Sequence, residues 1–415
     1  MAFEACRGDE QVACNSDGSD FEITSCPFGC SESLQACHQC RPDKSTCNGA
    51  TVNQCGPDGL PASSEVCKLG CTDLPTPHCT YLAPKYLPDI CDAAAGLDIL
   101  RISSSGTFDT NLDSNCTGGV VTQTGGPEIC VVRYGTISLE QGGALTVTGA
   151  RALALVADHD VSIRGYLDLS AEGFDSGPGG GTIRSGALGS TPNGGGGAGF
   201  KTAGGAGGSA TLNGGAGNGG ASSPDPAAFT VLLGGPQTGP DGLFIGGGGG
   251  AATLVSCRGT VDVAGEINAA GGGGAGGAFF LTAPLGGAGG GAGGYVVLQG
   301  LAVTVTGKLF ANGGGGGAGM RSNQTTGTHG SEGERSSIAA SGGAASTGEG
   351  VGGNGGTDNA TPVSGGRLNT AGTSAGGGGG SVGFFQSYTP AGVAATLTPS
   401  AASPLPQPNG TIPTR

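Results

Sequence analysis

Two stretches near the start of the chain carry the same series of five cysteines at almost the same spacing. The first series leaves 7, 11, 3 and 6 residues between its members and the second leaves 7, 11, 3 and 7; they are Cys6, Cys14, Cys26, Cys30 and Cys37, and Cys47, Cys55, Cys67, Cys71 and Cys79. A repeat of about 35 residues cannot bury enough apolar surface to fold alone, so disulfides must stabilise it. Each bond adds roughly 2–4 kcal/mol by restricting the unfolded chain. The spacing therefore predicts two disulfide modules, residues 1–39 and 40–91, and an oxidising compartment.

The pairing of these cysteines cannot be read from the sequence, because several connectivities fit the same spacing. Outside the two series, half-cystines are also expected at Cys40, Cys91, Cys116 and Cys130, of which the last two close one loop. Cys40 precedes Cys47 by seven positions, and its counterpart in the first series would fall just before residue 1. We therefore expect the first module to be truncated and to have lost one half-cystine. Cys257 stands alone on a predicted strand and is expected to be a buried free thiol.

Both modules contain the pattern Cys-x-x-Gly-Cys, at residues 26–30 and 67–71. His38 and His78 lie beside cysteines but at different positions of the repeat, so a disulfide framework is favoured over a zinc site and no metal is expected. The modules resemble short cysteine-rich repeats found near the N-terminus of secreted proteins of myxobacteria and their relatives. The resemblance covers residues 6–79 and implies a compartment and a module type, but no chemistry.

The charge and hydropathy of the chain exclude several classes of partner. The net charge of −14 argues against nucleic acid, which is bound through Lys and Arg. No apolar run reaches the roughly 18 residues of a membrane-spanning helix, so no membrane span is expected. The first residues lack the basic and apolar regions of a signal peptide. Because the cysteine repeats indicate an oxidising compartment, we expect an extracellular or cell-surface protein whose signal peptide is absent from this chain.

A short β pattern recurs in the body of the chain. Apolar residues alternate with polar ones and end at a glycine in the segments 161–165, 261–265 and 303–307, and each segment is followed by a second, shorter alternating run. Alternation with a period of two predicts strands with one buried face, and the shared glycine marks a corner. Repetition of such units predicts an all-β chain, a right-handed parallel β-solenoid with its first rungs at residues 92–172 and further rungs at 173–400. A β-sandwich is the alternative, and residues 401–415 form a proline-rich tail.

Glycine-rich stretches separate these units, at about residues 173–250, 271–294 and 313–380, and glycine makes up 93 of the 415 residues. Charged residues are only 12% of the chain, which is low for a disordered protein. Parts of these stretches have a period of three, which is also the period of polyproline-II-like helices. Two interpretations stay open: closely packed glycine helices inserted in the solenoid, or flexible loops. Residues 140–385 resemble glycine-rich, adhesin-like surface proteins of bacteria and the polyglycine-II bundles of some phage tail-tip adhesins.

Three patterns suggest chemistry, but each has a simpler explanation. Asp158-His159-Asp160 could orient a general base, yet it aligns with turns in the other units. Residues 352–358 resemble a calcium-binding glycine repeat, but the aspartate is displaced and no tandem copy follows. Thr146 with Thr148, and Thr304 with Thr306, resemble the threonine ladders of ice-binding solenoids, but the equivalent pairs in other units break the ladder. We expect no catalytic residue and no cofactor.

The sequence therefore favours a secreted or cell-surface structural or adhesive protein, a filament, coat or adhesin component, over an enzyme. Its expected partners are further copies of itself or cell-surface and glycan partners. Two alternatives are a carbohydrate-active β-helix enzyme and an ice- or glycan-binding module. The enzyme alternative is disfavoured because no row of carboxylates is visible along the units.

Overall fold

The computed structural model describes residues 2–67, 69–92, 96, 98–181, 185–187, 189, 192–210, 215–223, 225–238, 246–280, 283–320, 326–345, 348–367 and 373–415. These residues form two compact units, Met1–Tyr81 with Thr414–Arg415, and Leu82–Pro413. The described residues are all-β, apart from two short 3-10 turns at Asp113–Asn115 and Pro226–Ala228. Among them, no helix is long and apolar enough to cross a membrane.

The first unit contains two modules with the same strand order. Each has a three-stranded antiparallel sheet followed by a two-stranded one, β1-β2-β3 with β4-β5 and β6-β7-β8 with β9-β10. The strands are β1 Ala2–Arg7, β2 Glu10–Cys14, β3 Phe21–Ser25, β4 Cys30–Ser31, β5 Ala36–Cys37, β6 Ser45–Asn48, β7 Thr51–Cys55, β8 Pro61–Val66, β9 Cys71–Thr72 and β10 His78–Cys79. Each module places few apolar side chains in its interior; in the second, Val52 packs with Cys67 and Cys79. Disulfides therefore replace much of the missing core.

The disulfides of the two modules follow one pattern. Cys6–Cys30 and Cys26–Cys37 in the first module correspond to Cys47–Cys71 and Cys67–Cys79 in the second, which adds Cys40–Cys55. All five bonds join cysteines of the same module. One expectation is wrong: Cys14 has no disulfide partner among the described residues. It is the counterpart of Cys55, and residues 1–13 hold no counterpart of Cys40, because their one cysteine, Cys6, is bonded to Cys30.

The second unit contains three sheets of parallel strands, which we call sheets A, B and C. Sheet A has the order β11-β15-β18-β21-β26-β29, sheet B β12-β16-β19-β22-β27-β30, and sheet C β13-β14-β17-β20-β25-β28-β31. Their strands are β11 Ile99–Ile102, β12 Ser105–Asp109, β13 Val120–Val121, β14 Ile129–Tyr134, β15 Thr136–Leu139, β16 Ala144–Thr148, β17 Ala152–Ala157, β18 Val161–Ile163, β19 Tyr166–Asp168, β20 Ala251–Ser256, β21 Thr260–Val263, β22 Glu266–Asn268, β25 Tyr295–Gln299, β26 Ala302–Val305, β27 Lys308–Phe310, β28 Phe384–Thr389, β29 Thr396–Leu397, β30 Ala401–Ser403 and β31 Gly410–Thr411. Within these sheets only the β13–β14 pair is antiparallel. A separate hairpin pairs β23 Phe279–Phe280 with β24 Ala283–Pro284.

From β14 onward the chain visits sheets C, A and B in that order and then begins again. Each strand pairs with its equivalent one round later, so Val161 lies beside Val261 and Val261 beside Val303. The predicted strand units are confirmed, and the glycines that end them stack on one another. A Cβ added at Gly265 would lie 2.1 Å from the carbonyl oxygen of Gly165, which explains why this corner requires glycine.

The side chains that point between the three sheets form one apolar core. Val161, Ile163, Leu167, Val263 and Ile267 are fully buried in it, together with their equivalents in other rounds. Burial of each such side chain stabilises the fold by about 1.5–3 kcal/mol. Only alternate residues of each strand point into this core, which explains why apolar residues recur with a period of two in the sequence.

The central strands of sheet C are buried on both faces. All residues of β17, β20, β25 and β28 are buried, unlike the alternating strands of sheets A and B. Part of its outer face is covered by the segment 82–92: Leu82 donates its N–H to the carbonyl oxygen of Cys257, and Cys91 forms a disulfide with Cys257. Cys257 is therefore not the free thiol that we expected. Its partner lies 166 residues away in the sequence, and only the folding of this segment onto sheet C brings the two sulfurs together.

The glycine-rich stretches all leave the sheets at the same corner, after sheet B and before sheet C. Their described parts pack into what we call the glycine layer, which includes residues 194–199, 204–208, 217–220, 271–277, 286–294, 313–319, 340–344, 350–356, 363–366 and 374–383. Gly287, Gly290 and Gly293 donate N–H groups to the carbonyl oxygens of residues 375, 378 and 381 in a parallel neighbour. Residues 288, 291 and 294 donate instead to 275, 272 and 269 in an antiparallel neighbour. The described segments are thus joined by backbone hydrogen bonds that repeat every three residues.

Candidate functional site

One side of the glycine layer faces solvent, and five segments lie next to one another there. We call this surface the outer glycine face; its segments are 340–344, 351–355, 363–366, 203–209 and 215–221. Neighbouring segments are joined in this order by the N–H groups of Gly352, Gly366, Gly365 and Gly207, which donate to the carbonyl oxygens of Gly343, Val351, Ala206 and Gly217. The surface is therefore a continuous sheet of backbone hydrogen bonds.

Only some positions of each segment can carry a side chain. In the segment 351–355, Val351 and Asn354 are exposed. A Cβ added at Gly352 would lie 1.9 Å from the carbonyl oxygen of Gly316, and one at Gly353 would lie 1.9 Å from that of Val363. In this segment, two of every three positions therefore point at neighbouring backbone, and the third points to solvent.

The exposed positions of the outer glycine face carry small or uncharged side chains. They include Ser341 and Ala344, Val351 and Asn354, Val363, Ala203, and Asn218 with Ala221. Val351 is 49% exposed and Val363 51%, which shows that apolar groups here are not covered within the described structure. No Asp, Glu, Lys or Arg occurs in the five segments. The face is uncharged and regularly spaced, and it can approach a flat partner closely without desolvating charge.

The resemblance of residues 352–358 to a calcium repeat has another explanation. Asn354 is an exposed position of the outer glycine face, and Asp358 lies 3.3 Å from the ammonium group of Lys201. Among the described residues, no group of three or more His, Cys, Asp or Glu side chains is arranged to hold a metal ion.

The cluster Asp158-His159-Asp160 is a turn whose side chains face different partners. Asp158 is buried and pairs with Arg133; burial lowers the pKa of the Arg133 guanidinium, and the Asp158 carboxylate offsets only part of that shift. Asp160 accepts hydrogen bonds from the N–H and hydroxyl of Thr260, at 2.8 and 3.0 Å. His159 is exposed. The carboxylates thus hold the turn against sheet strands.

The threonine pairs do not form a ladder. Thr146 lies between Thr107 and Asp168 in sheet B, and Thr304 lies between Asp262 and Thr396 in sheet A. Each row therefore mixes threonine with a carboxylate.

The structure also brings together a group of carboxylates that the sequence did not reveal. Five of them surround one cleft of about 760 Å³ beside sheet B: Asp109, Asp168, Glu172, Asp175 and Glu332. They were missed because Glu332 reaches the cleft from a distant glycine-rich stretch, and because the others occupy different positions of successive units. This grouping weakens the argument that the lack of a carboxylate row disfavours carbohydrate chemistry.

Comparison of the chain with protein-family models, with curated proteins and with solved structures finds no match. The function must therefore be argued from the chemistry of its own surfaces.

Proposed function

We propose that this chain is a secreted or cell-surface structural protein that adheres through its outer glycine face, as a component of a coat, filament or adhesin. The single observation that carries the proposal is the glycine layer, whose segments are tied by backbone hydrogen bonds every three residues and present uncharged side chains to solvent. Seven disulfide bonds fit an oxidising, extracellular environment.

We further propose that sheets A, B and C form one right-handed parallel β-solenoid and that the glycine layer is a bundle of polyglycine-II helices. The fixed order in which the chain visits the three sheets supports the first assignment, and nearly all parallel crossovers are right-handed. Donors spaced three residues apart support the second, because that helix has three residues per turn and bonds only to its neighbours.

This architecture suits a mechanical role. Many N–H and carbonyl groups of the layer are engaged with neighbouring segments, so a protease finds little free extended backbone to bind. The exposed positions of the outer glycine face can carry different side chains. The protein would hold a rigid, weakly hydrated surface against a flat partner, with a role in binding and none in catalysis.

Two substitutions on the face test the proposal. Val351→Lys and Val363→Lys place ammonium groups on exposed positions, so folding should be kept while the face becomes cationic and strongly hydrated. Leu405→Lys is the matched control, since Leu405 is 57% exposed but lies outside the outer glycine face.

We expect the purified protein to be retained on intact bacterial cells or on a layer of its own copies, and the double variant to be retained at least about tenfold less. Each tenfold loss corresponds to about 1.4 kcal/mol of binding free energy. Retention of the double variant equal to that of the control would contradict an adhesive role of this face.

A further inference from the structure

The carboxylate-lined cleft beside sheet B is a preformed cavity whose floor and walls come from separate parts of the second unit. The floor is formed by Thr146 and Asp168, which are paired in neighbouring strands. One wall is the turn after β12, where Asp109 accepts a hydrogen bond from the N–H of Asn111. The other wall is a tight turn in which Glu172 and Asp175 exchange two backbone hydrogen bonds. Its volume of about 760 Å³ lies within the range of known ligand sites.

Contacts from a distant segment fix the turn at the mouth of the cleft. A carboxylate oxygen of Glu332 accepts a hydrogen bond from the N–H of Gly173 at 2.8 Å. The ring of Phe174 packs edge-on against His329, with 5.2 Å between ring centroids. Phe174 nevertheless remains 40% exposed. The turn thus holds an aromatic ring at the cleft in one position before any ligand binds.

The charged side chains that line the cleft all have the same sign. The charged residues that line it are the five carboxylates, and no Lys or Arg is among its described lining residues. A cleft lined by one sign of charge concentrates ions of the opposite sign. The cleft therefore offers acceptors in excess of donors.

The remaining lining groups favour a sugar chain over a metal ion or a peptide. Amides and hydroxyls, from Asn111, Gln237, Ser170 and Ser176, can bond to ring hydroxyls. Phe174 can stack on the apolar face of a sugar ring and also attract a cation through its π-electrons. We propose that this cleft binds an oligosaccharide whose sugars carry protonated amino groups, such as a glucosamine chain. The proposal names a partner class for the proposed surface role, but the cleft shares no residue with the outer glycine face.

Calorimetric titration with two chains of equal length tests the charge argument directly. A fully deacetylated glucosamine oligomer should bind, and its N-acetylated counterpart, which has no ammonium groups, should bind at least about tenfold more weakly. Binding of the deacetylated chain should weaken as salt is raised. Equal binding of the two oligosaccharides, or binding of neither, would overturn the proposal. If oligolysine bound more tightly than the deacetylated oligosaccharide, the ligand of the cleft would be a cationic peptide and the proposal would be wrong.

Conservative variants test the location. Asp175→Asn keeps the shape of an exposed side chain and should weaken binding about tenfold. Phe174→Ala should weaken it as well, whereas Asp262→Asn, on sheet A and outside the cleft, should not. Unchanged binding by Asp175→Asn would place the site elsewhere. Because Val351 and Val363 lie outside the cleft, their variants should bind the oligomer normally, so this proposal and the adhesive role of the glycine face can fail separately.

Discussion

The packing of the glycine layer predicts that one substitution, glycine to alanine, has opposite effects on stability at two glycines of adjacent segments, Gly289 and Gly195. A Cβ added at Gly289 would lie 2.1 Å from the carbonyl oxygen of Gly196, whereas one added at Gly195 would lie 3.4 Å from the nitrogen of Gly289. The first distance is a severe overlap and the second an ordinary contact. Neither glycine has a positive φ, so backbone strain does not complicate the comparison.

Gly289→Ala must push the segment 286–294 away from 194–199 by about 1 Å to restore normal contact distances. Two hydrogen bonds join these segments, from Gly195 to Gly287 and from Ala198 to Gly290, both at 2.9 Å. At about 3.9 Å they would be lost, at roughly 0.5–1.5 kcal/mol each, in addition to the 1–3 kcal/mol that overpacking typically costs. Alanine also lowers the entropy of the unfolded chain, which offsets about 0.4–1 kcal/mol of this loss in stability. The expected net loss is therefore about 1–5.5 kcal/mol.

Gly195→Ala has the same effect on the unfolded chain and no overlap, so it should be neutral or stabilise by up to about 1 kcal/mol. Urea unfolding without reductant gives the difference in stability, and amide hydrogen exchange over residues 271–277 and 286–294 locates it. These amides should be protected about as well as those of 261–267 in the wild-type chain. Random-coil exchange there, or equal effects of the two substitutions, would refute the packed layer and leave flexible loops.

Three further measurements follow from the structure. In the native, non-reduced protein an alkylating reagent should label Cys14 and add one label per chain, because the other cysteines are in disulfides; more than one label would contradict the pairing. Arg133→Met should destabilise by about 1.5–3 kcal/mol, because it removes a charge-assisted hydrogen bond to the buried Asp158, whereas Arg101→Met, with an arginine side chain 63% exposed, should cost no more than about 1 kcal/mol in the same urea unfolding assay. Burial raises the pKa of three tyrosines, so each should ionise above the usual range in an absorbance titration; they are Tyr86, Tyr166 and Tyr295. As pH rises, these tyrosines lose their protons in the unfolded chain before they do in the folded one. The stabilisation that comes from their burial is therefore present below about pH 10 and is lost at higher pH. Ordinary titration of all six tyrosines would refute their burial.

Much of the sheet architecture could be predicted because a period-two pattern is a local property. Val161, Val261 and Val303 were placed on equivalent strands from their alternation alone, and the structure pairs them in that register. The corner glycines followed from the same comparison. Disulfides within the modules were expected because the spacing repeats, and five are found there, although their connectivity was not predicted.

Contacts between distant parts of the chain could not be predicted in the same way. Cys91 and Cys257 belong to no repeated pattern, and nothing in their local sequence indicates a bond. The sequence likewise does not indicate which glycine segments pair with each other, because runs of glycine and alanine are too similar to specify a partner or a register. The cleft was missed for a related reason: Glu332 and Gly173 meet only after the glycine layer has folded.

The glycine layer also explains how this chain can separate stability from surface chemistry. In Val351-Gly352-Gly353-Asn354-Gly355-Gly356, the glycines at 352, 353 and 355 face backbone atoms within 2.1 Å of an added Cβ, so they cannot be replaced without moving a neighbour. Val351 and Asn354 contribute to the same backbone hydrogen bonds but send their side chains to solvent. In a conventional core, by contrast, side chains supply the stability, and a change of surface often disturbs what lies beneath. Here the backbone supplies it, so the exposed positions can change the chemistry of the face while the layer that holds them stays the same.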